Sequence, residues 1–339
     1  MGRRELRSGV RRVLKFLRRV ESGDPRKPVP PPLPGGRTVT VEGRGEMFVR
    51  EIPGGEGDPT IVLLHGWTLS ADLNWFSGVY DVASQHGRVL APDIRGHGRG
   101  LRSEVPFTLE AAADDLACLI EQLDAGPAVL VGYSMGGSIA LLCAARHPHL
   151  VAALVLASVG VQWRDDLWER IIWLGMGFTE YVLRWGAPEG IVERYLRHAV
   201  EQSPDLEPYL GWVKAETRRG DPSAIGHAAS ALAKFDASEL VKDINVPTAV
   251  VVTKHDALIR ERRQRELVEA MEGAHVVEVD GKHNAWMVLP EEWSAAIGEG
   301  IEYVTSHNPA TQGDPTTRGE GRAIEEAGTG EEEREKVAS

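Results

Sequence analysis

The chain has 339 residues, of which 42% are hydrophobic and 26% charged, an ordinary balance for a globular domain. Its formal net charge of −12 argues against nucleic acid as a partner. There is no apolar run of about 18 residues that could span a membrane, and no Cys/His cluster has metal-ligand spacing. Cys118 and Cys143 lie in predicted helices and form no disulfide framework. We therefore expect a cytoplasmic protein without metal or cofactor.

The first 36 residues are predicted to be a basic arm and a linker. Residues 1–28 contain ten Lys or Arg and three acids, and 28–34 are rich in proline, which favours a stiff extended linker. Apolar side chains recur at helical spacing in this arm: Leu6, Val10, Val13, Leu14 and Leu17. Such a helix can lie on an anionic membrane surface through residues 1–20. It can also dock on its own domain or bind nothing, and both alternatives stay open.

Strands and helices alternate along most of the chain. The helix predicted over 108–123 has Thr108 as its N-cap, and we interpret its Asp114 and Asp115 as solvated or locally ion-paired. The regular alternation predicts an α/β fold with a mainly parallel, doubly wound sheet, covered on both faces. A leading antiparallel pair and six further strands are predicted at 38–41, 46–51, 60–64, 88–92, 128–132, 151–157, 247–253 and 275–279.

Residues 132–136 read Gly-Tyr-Ser-Met-Gly and lie between an apolar strand and a small-residue helix. Strand, sharp turn and helix form the context of a nucleophile elbow, which exposes Ser134 at the turn. Gly132 and Gly136 leave room for the two backbones to pass. A helix that begins at the serine favours negative charge there.

Histidine and aspartate side chains follow three other predicted strands. Strand 60–64 ends at His65, strand 247–253 is followed by Asp256, and strand 275–279 by His283. The chain order Ser134, Asp256, His283 is that of a serine nucleophile, an acid and a base in α/β hydrolases. Asp243 and Asp280 are alternatives for the acid. His255 is expected on the surface.

With these motifs the chain resembles a capped serine hydrolase of the α/β-hydrolase superfamily, esterase- or lipase-like, over residues 37–306. The segment Asp-Ile-Arg-Gly-His-Gly at 93–98 adds to the resemblance. The resemblance implies a Ser134–His283–Asp256 triad and an oxyanion hole formed by the backbone N–H groups of Trp67 and Met135. It also implies that His65 and His97 are structural.

Residues of about 160–240 interrupt the alternation and are predicted to form an inserted helical cap. Their aromatic side chains indicate an apolar pocket: Trp163, Trp168, Trp173, Phe178, Tyr181, Trp185, Tyr195, Tyr209, Trp212 and Phe235. The tail, 307–339, is acidic and is predicted to be disordered.

We therefore expect a hydrolase of small carboxylic esters with an apolar part, acting through an acyl-enzyme. A carbon–carbon bond hydrolase, a lactonase or a perhydrolase can use the same triad. A binding protein on a hydrolase scaffold is a third possibility.

Overall fold

An eight-stranded sheet runs through the part of the chain that the computed structural model describes, residues 28–163 and 204–307. The spatial order is β1-β2-β4-β3-β5-β6-β7-β8. β1 and β2 pair antiparallel, β2 pairs antiparallel with β4, and the other neighbours are parallel. The predicted mainly parallel sheet is confirmed. The strands are β1 (Gly36–Val41), β2 (Gly45–Ile52), β3 (Thr60–Leu64), β4 (Arg88–Pro92), β5 (Ala128–Tyr133), β6 (Val151–Ala157), β7 (Thr248–Thr253) and β8 (His275–Val279).

Helices cover both faces of this sheet. Every residue of β3, β5, β6 and β7 is buried, as expected for parallel strands between two helical layers. Short 3-10 helices occur at Pro148–Leu150, Pro204–Tyr209 and Leu240–Asp243. The α-helices of the described residues are α1 (Ala71–Trp75), α2 (Val79–Ser84), α3 (Leu109–Gln122), α4 (Met135–Arg146), α5 (Leu210–Thr217), α6 (Pro222–Leu232), α7 (Glu261–Ala270), α8 (Ala285–Val288) and α9 (Pro290–His307).

Two hydrophobic layers hold the sheet between the helices. One layer contains the apolar faces of α3, α4 and α7, together with Leu232 and Phe235 from the segment before β7. The other contains α1, α2 and α9, with Trp75 and Trp293 fully buried between them. The burial of apolar area is the main favourable term in folding, so these two layers stabilise the sheet. The stable sheet in turn fixes the strand ends on which the site is built.

Helix α3 begins as predicted. The Thr108 hydroxyl oxygen accepts a hydrogen bond from the Ala111 N–H at 3.0 Å, so Thr108 is the N-cap. Asp114 is ion-paired with Arg146 at 2.9 Å, as one of the two sequence interpretations expects. Asp115 is 1% exposed, so the solvated alternative is wrong for it. Its ion-pair partners are Arg95 and, at 3.4 Å, Arg44, which come from other parts of the chain.

The described part of the predicted cap is helical. Residues 204–243 form α5, α6 and two of the 3-10 helices, and one isolated antiparallel bridge joins Gln162 to Asp236. Trp163, Trp212 and Phe235 are buried. The bounds of the arm, cap and tail remain predictions. Residues 1–27, 164–203 and 308–339 lie outside the described residues, as do the basic helix, the acidic tail and six of the predicted cap aromatics: Trp168, Trp173, Phe178, Tyr181, Trp185 and Tyr195.

No helix among the described residues is long and apolar enough to cross a membrane. Cys118 and Cys143 are both free thiols. Burial raises the pKa of Cys143 to about 12, which leaves it unreactive near neutral pH.

Candidate active site

Ser134 lies on the sharp turn that joins β5 to α4. β5 ends at Tyr133, α4 begins at Met135, and the serine between them has φ 53° and ψ −116°. A non-glycine residue in this region is strained by about 1–3 kcal/mol and needs enforcement by its surroundings. The Ser134 N–H supplies part of it by donating to the Ala157 carbonyl on β6 at 2.9 Å.

The two glycines of the pentapeptide make this turn sterically possible. A Cβ on Gly132 would lie 2.5 Å from the Cα of Gly137, and a Cβ on Gly136 would collide with the Leu64 carbonyl of β3. The backbone of α4 therefore passes directly against β5 and β3. This close approach points the start of the helix at the ends of the parallel strands.

The structure brings together the three side chains that the sequence singled out. Ser134 Oγ lies 3.0 Å from His283 Nε2, and His283 Nδ1 lies 2.7 Å from Asp256 Oδ2. Both distances are those of hydrogen bonds. The Asp256 side chain has no exposed surface, whereas 21% of the His283 side chain is exposed. The serine and the carboxylate therefore lie on opposite sides of one imidazole.

Hydrogen bonds hold the Asp256 carboxylate from several directions. Oδ1 accepts the N–H groups of Leu258 and Ile259 at 2.8 and 2.9 Å. Oδ2 accepts the Thr253 hydroxyl at 3.1 Å and the Gln264 amide at 3.4 Å, besides facing the imidazole. Together these hydrogen bonds fix the plane of the carboxylate.

Tyr133 supports His283, and sequence reasoning missed it. The Tyr133 hydroxyl donates to the His283 carbonyl at 2.5 Å, and the two rings lie 5.2 Å apart between centroids. The Tyr133 ring also packs edge-on against Trp293. The signal available in the sequence was its place beside Ser134 in the pentapeptide. Thr253 and Gln264 were missed as well. Of these two, Gln264 offers a signal, because it is a polar residue on the buried face of α7.

The two amides expected in the oxyanion hole belong to residues at the edge of the same site. Trp67 follows β3 and lines one cavity with Ser134 and His283. Met135 is the first residue of α4, where helical N–H groups have no acceptor four residues earlier. The positive end of the helix dipole faces the serine.

The alternatives for the acid lie elsewhere. Asp280 Oδ1 is 2.8 Å from His255 Nε2, and both side chains are largely exposed. Asp243 is exposed at the end of a 3-10 helix. Asp256 is the carboxylate that faces the imidazole of His283.

His65 and His97 are fully enclosed and bind backbone groups. His65 Nε2 accepts the Ile94 N–H at 2.9 Å and its Nδ1 lies 2.9 Å from the Gly66 carbonyl. His97 Nδ1 lies 3.0 Å from the Arg95 carbonyl. Burial lowers the pKa of His65 to about 4 and that of His97 to about 3, so both imidazoles are neutral at pH 7. These contacts fit a structural role.

The segment after β4 forms a buried polar cluster beside the site. Asp93 accepts the Ala71 N–H at 2.7 Å and the Arg99 N–H at 2.8 Å. Arg99 also pairs with Asp72 at 2.7 Å, and Arg50 pairs with the same carboxylate at 2.8 Å. Burial raises the pKa of Asp93 despite the neighbouring Arg99. The cluster ties the loop after β4 to the start of α1.

A cavity of about 380 Å³ opens above Ser134. Its walls carry mostly apolar surface, and Ser134 and His283 are among the residues that line it. Within residues 28–163 and 204–307 no group of three His, Cys, Asp or Glu side chains could hold a metal ion. The apolar walls are Trp67, Leu69, Trp163, Leu258 and Trp286.

The sheet is mainly parallel, and a strained serine follows one of its inner strands. A carboxylate and a histidine follow two later strands. This is the architecture of α/β hydrolases. The family model described as the α/β hydrolase fold matches residues 59–288. The chain belongs to this family.

Two curated relatives that match this chain over most of their own length have esterase names. The pimeloyl-[acyl-carrier protein] methyl ester esterase of Chromobacterium violaceum is 30% identical over 262 residues, which cover 76% of this chain and 98% of the relative. The Neisseria meningitidis serogroup C protein of the same name is 29% identical over 248 residues, 72% of this chain and 94% of the relative. These relatives support an enzyme that hydrolyses esters.

Solved structures share the fold at lower identity. A thermophilic esterase from Thermogutta terrifontis has a TM-score of 0.65 at 24% identity and covers 80% of this chain and 99% of its own. The enol-lactonase of Burkholderia xenovorans LB400 has a TM-score of 0.68 at 23% identity, with 78% and 100% covered. At this identity the likeness concerns the fold.

Proposed function

We propose that this hydrolase cleaves carboxylic esters through an acyl-enzyme on Ser134. The observation that carries the proposal is the continuous arrangement of Ser134 Oγ, the His283 imidazole and the Asp256 carboxylate at 3.0 and 2.7 Å. A serine hydroxyl is a weak nucleophile unless a base takes its proton as the new bond forms. Nε2 of His283 is within reach of that proton.

Asp256 would keep His283 in the productive tautomer. Its carboxylate accepts the Nδ1–H, which leaves Nε2 free to take the serine proton, and it stabilises the imidazolium that forms. The N–H groups of Trp67 and Met135 would stabilise the oxyanion. Each such donor contributes on the order of 3 kcal/mol in measured cases. The alcohol then leaves with the proton from His283, and water attacks the acyl-enzyme with His283 again as base.

The substrate class follows from the cavity. Tryptophan and leucine walls favour an ester with an aliphatic acyl chain or an apolar alcohol. The names of the methyl ester esterase relatives favour an acyl group esterified with a small alcohol. A lactone is an internal ester and could react at the same groups, so it remains the second candidate.

A fluorophosphonate probe and a panel of p-nitrophenyl esters test this proposal. The wild type should be labelled at Ser134 and should turn over esters of increasing chain length with a definite preference. Ser134→Ala should fold, resist labelling and lose turnover, while Ser294→Ala, a buried serine on α9, serves as the matched control for labelling. A folded wild type that neither labels nor hydrolyses any ester or lactone would favour a binding protein.

We also propose that residues 1–20 hold the enzyme at anionic membranes. Basic residues near such a surface contribute up to about 1 kcal/mol each before salt screening. Full-length protein should co-sediment with anionic vesicles at low salt and be released as salt rises. The double variant Leu14→Glu, Leu17→Glu should lose vesicle binding and keep its esterase activity. Equal sedimentation of both proteins would contradict the proposal.

A further inference from the structure

The loop after β3 is held at Gly66 from two sides. The Gly66 N–H donates to Asn74 Oδ1 at 2.8 Å, and the Gly66 carbonyl lies 2.9 Å from His65 Nδ1. The same carbonyl accepts the Leu69 N–H at 3.3 Å. Both polar backbone groups of this glycine therefore have partners.

Peptide planarity passes this constraint to Trp67. The Gly66 carbonyl and the Trp67 N–H belong to one planar unit and point in opposite directions. The hydrogen bond from the Gly66 N–H to Asn74 fixes the plane of the preceding peptide, between His65 and Gly66, in the same way. Once both planes are set, the direction of the Trp67 N–H is set as well.

Asn74 is itself immobilised. It has no exposed surface and lies on α1, whose N-cap is the Ser70 hydroxyl and whose first N–H, that of Ala71, donates to Asp93. Asn74 Nδ2 is buried without a hydrogen-bond partner among the described residues. A buried unpaired donor destabilises a fold, so an apolar residue would suit this place better if packing were its sole role.

On its other side the loop meets the elbow. A Cβ on Gly66 would lie 2.7 Å from the Tyr133 ring, so the glycine is clamped between that ring and Asn74. We propose that Asn74 is a positioning residue that aims the Trp67 N–H at the oxyanion formed on Ser134. This inference rests on the proposed function.

Three variants of Asn74 test it. Asn74→Leu removes the hydrogen-bond acceptor and keeps a side chain of similar volume. Asn74→Ala removes both the acceptor and the volume, and Asn74→Asp keeps an acceptor for the Gly66 N–H. We expect the first two to lower kcat by about 10- to 100-fold with KM within about threefold, since they misalign one donor of the transition state. The affinity for a trifluoromethyl ketone, which forms a tetrahedral oxyanion on serine, should fall by the same factor. Asn74→Asp should retain more of the kcat and more of the ketone affinity than the other two variants.

Leu73→Ala, in the core beside Asn74 on α1, is the control for lost stability. It should lower the unfolding midpoint and leave kcat and the ketone affinity within about threefold of wild type. The inference is overturned if Asn74→Leu and Asn74→Ala behave like Leu73→Ala, with stability lost and both oxyanion readouts unchanged. A wild type that hydrolyses no ester would overturn the proposed function instead, and the inference with it.

Discussion

Replacing Asp256 by Asn is the sharpest perturbation of the proposed triad. The carboxylate faces five donors: two backbone N–H groups at Oδ1, and Thr253, Gln264 and His283 at Oδ2. An amide has a single oxygen, so its NH₂ must face either two N–H donors or the imidazole. The second orientation is favoured because an imidazole nitrogen can accept a hydrogen bond and a backbone N–H cannot.

That orientation reverses the tautomer of the imidazole. With Nδ1 of His283 accepting from the amide, the proton moves to Nε2, which then points at Ser134 Oγ across 3.0 Å and cannot take its proton. In a serine protease the equivalent change of the triad aspartate lowers kcat by about 10⁴-fold, which corresponds to about 5.5 kcal/mol of transition-state stabilisation. We expect a loss of about 10³- to 10⁴-fold in kcat for Asp256→Asn and little change in KM, by the same tautomer argument.

The assay is steady-state hydrolysis of a p-nitrophenyl ester, with urea unfolding of each variant as the test of folding. Asp280→Asn is the matched control, because Asp280 is exposed and pairs with His255 rather than with the imidazole of the site. It should keep kcat within about twofold. A folded Asp256→Asn enzyme within about tenfold of wild type, or a large loss in Asp280→Asn, would refute the assignment of the acid.

Three further outcomes are expected. Tyr133→Phe keeps the ring and removes the hydroxyl bond to the loop after β8, and should lower kcat by about 3- to 10-fold and the free energy of unfolding by about 1 kcal/mol, read from kinetics and urea titration. Asp115→Ala leaves the buried Arg95 guanidinium without this partner and should lower the free energy of unfolding by about 3–5 kcal/mol, with kcat per folded molecule unchanged. Burial lowers the pKa values of His65 and His97 in the folded protein. Above pH 6.5 both imidazoles are neutral in the folded and in the unfolded chain. Below pH 6.5 the unfolded chain binds more protons than the folded one. The free energy of unfolding should therefore fall between pH 6.5 and about 4; a value independent of pH over that range would contradict the neutral buried imidazoles.

The sheet was predictable because its strands are read from local patterns. Runs such as 60–64 and 151–157 are apolar throughout, and a segment of helical length separates most of them. The strand bounds agree with the prediction to within one or two residues. The burial of Asp115 on α3 was not predictable, because it depends on Arg44 and on Arg95, which lies twenty residues away in the loop after β4.

The three main residues of the site were predictable for a different reason. Each follows the carboxyl end of a parallel strand, and such ends meet at one edge of a sheet. Their supports were not predictable, because Tyr133, Thr253 and Gln264 act through contacts that no spacing encodes. Asn74 is the clearest case: its partner is a backbone N–H eight residues earlier, and no motif contains it.

The three residues of the site are held by different parts of the chain. Ser134 is held by the backbone of the elbow, and Asp256 by donors from its own turn, from β7 and from α7. His283 lies between them on a separate loop after β8, and its carbonyl is tied to the elbow by the Tyr133 hydroxyl. Because His283 makes both hydrogen bonds from this loop, a displacement of the loop would change both distances at once. Variants on this loop should therefore reduce kcat before they reduce stability, whereas variants around Asp256 should reduce both.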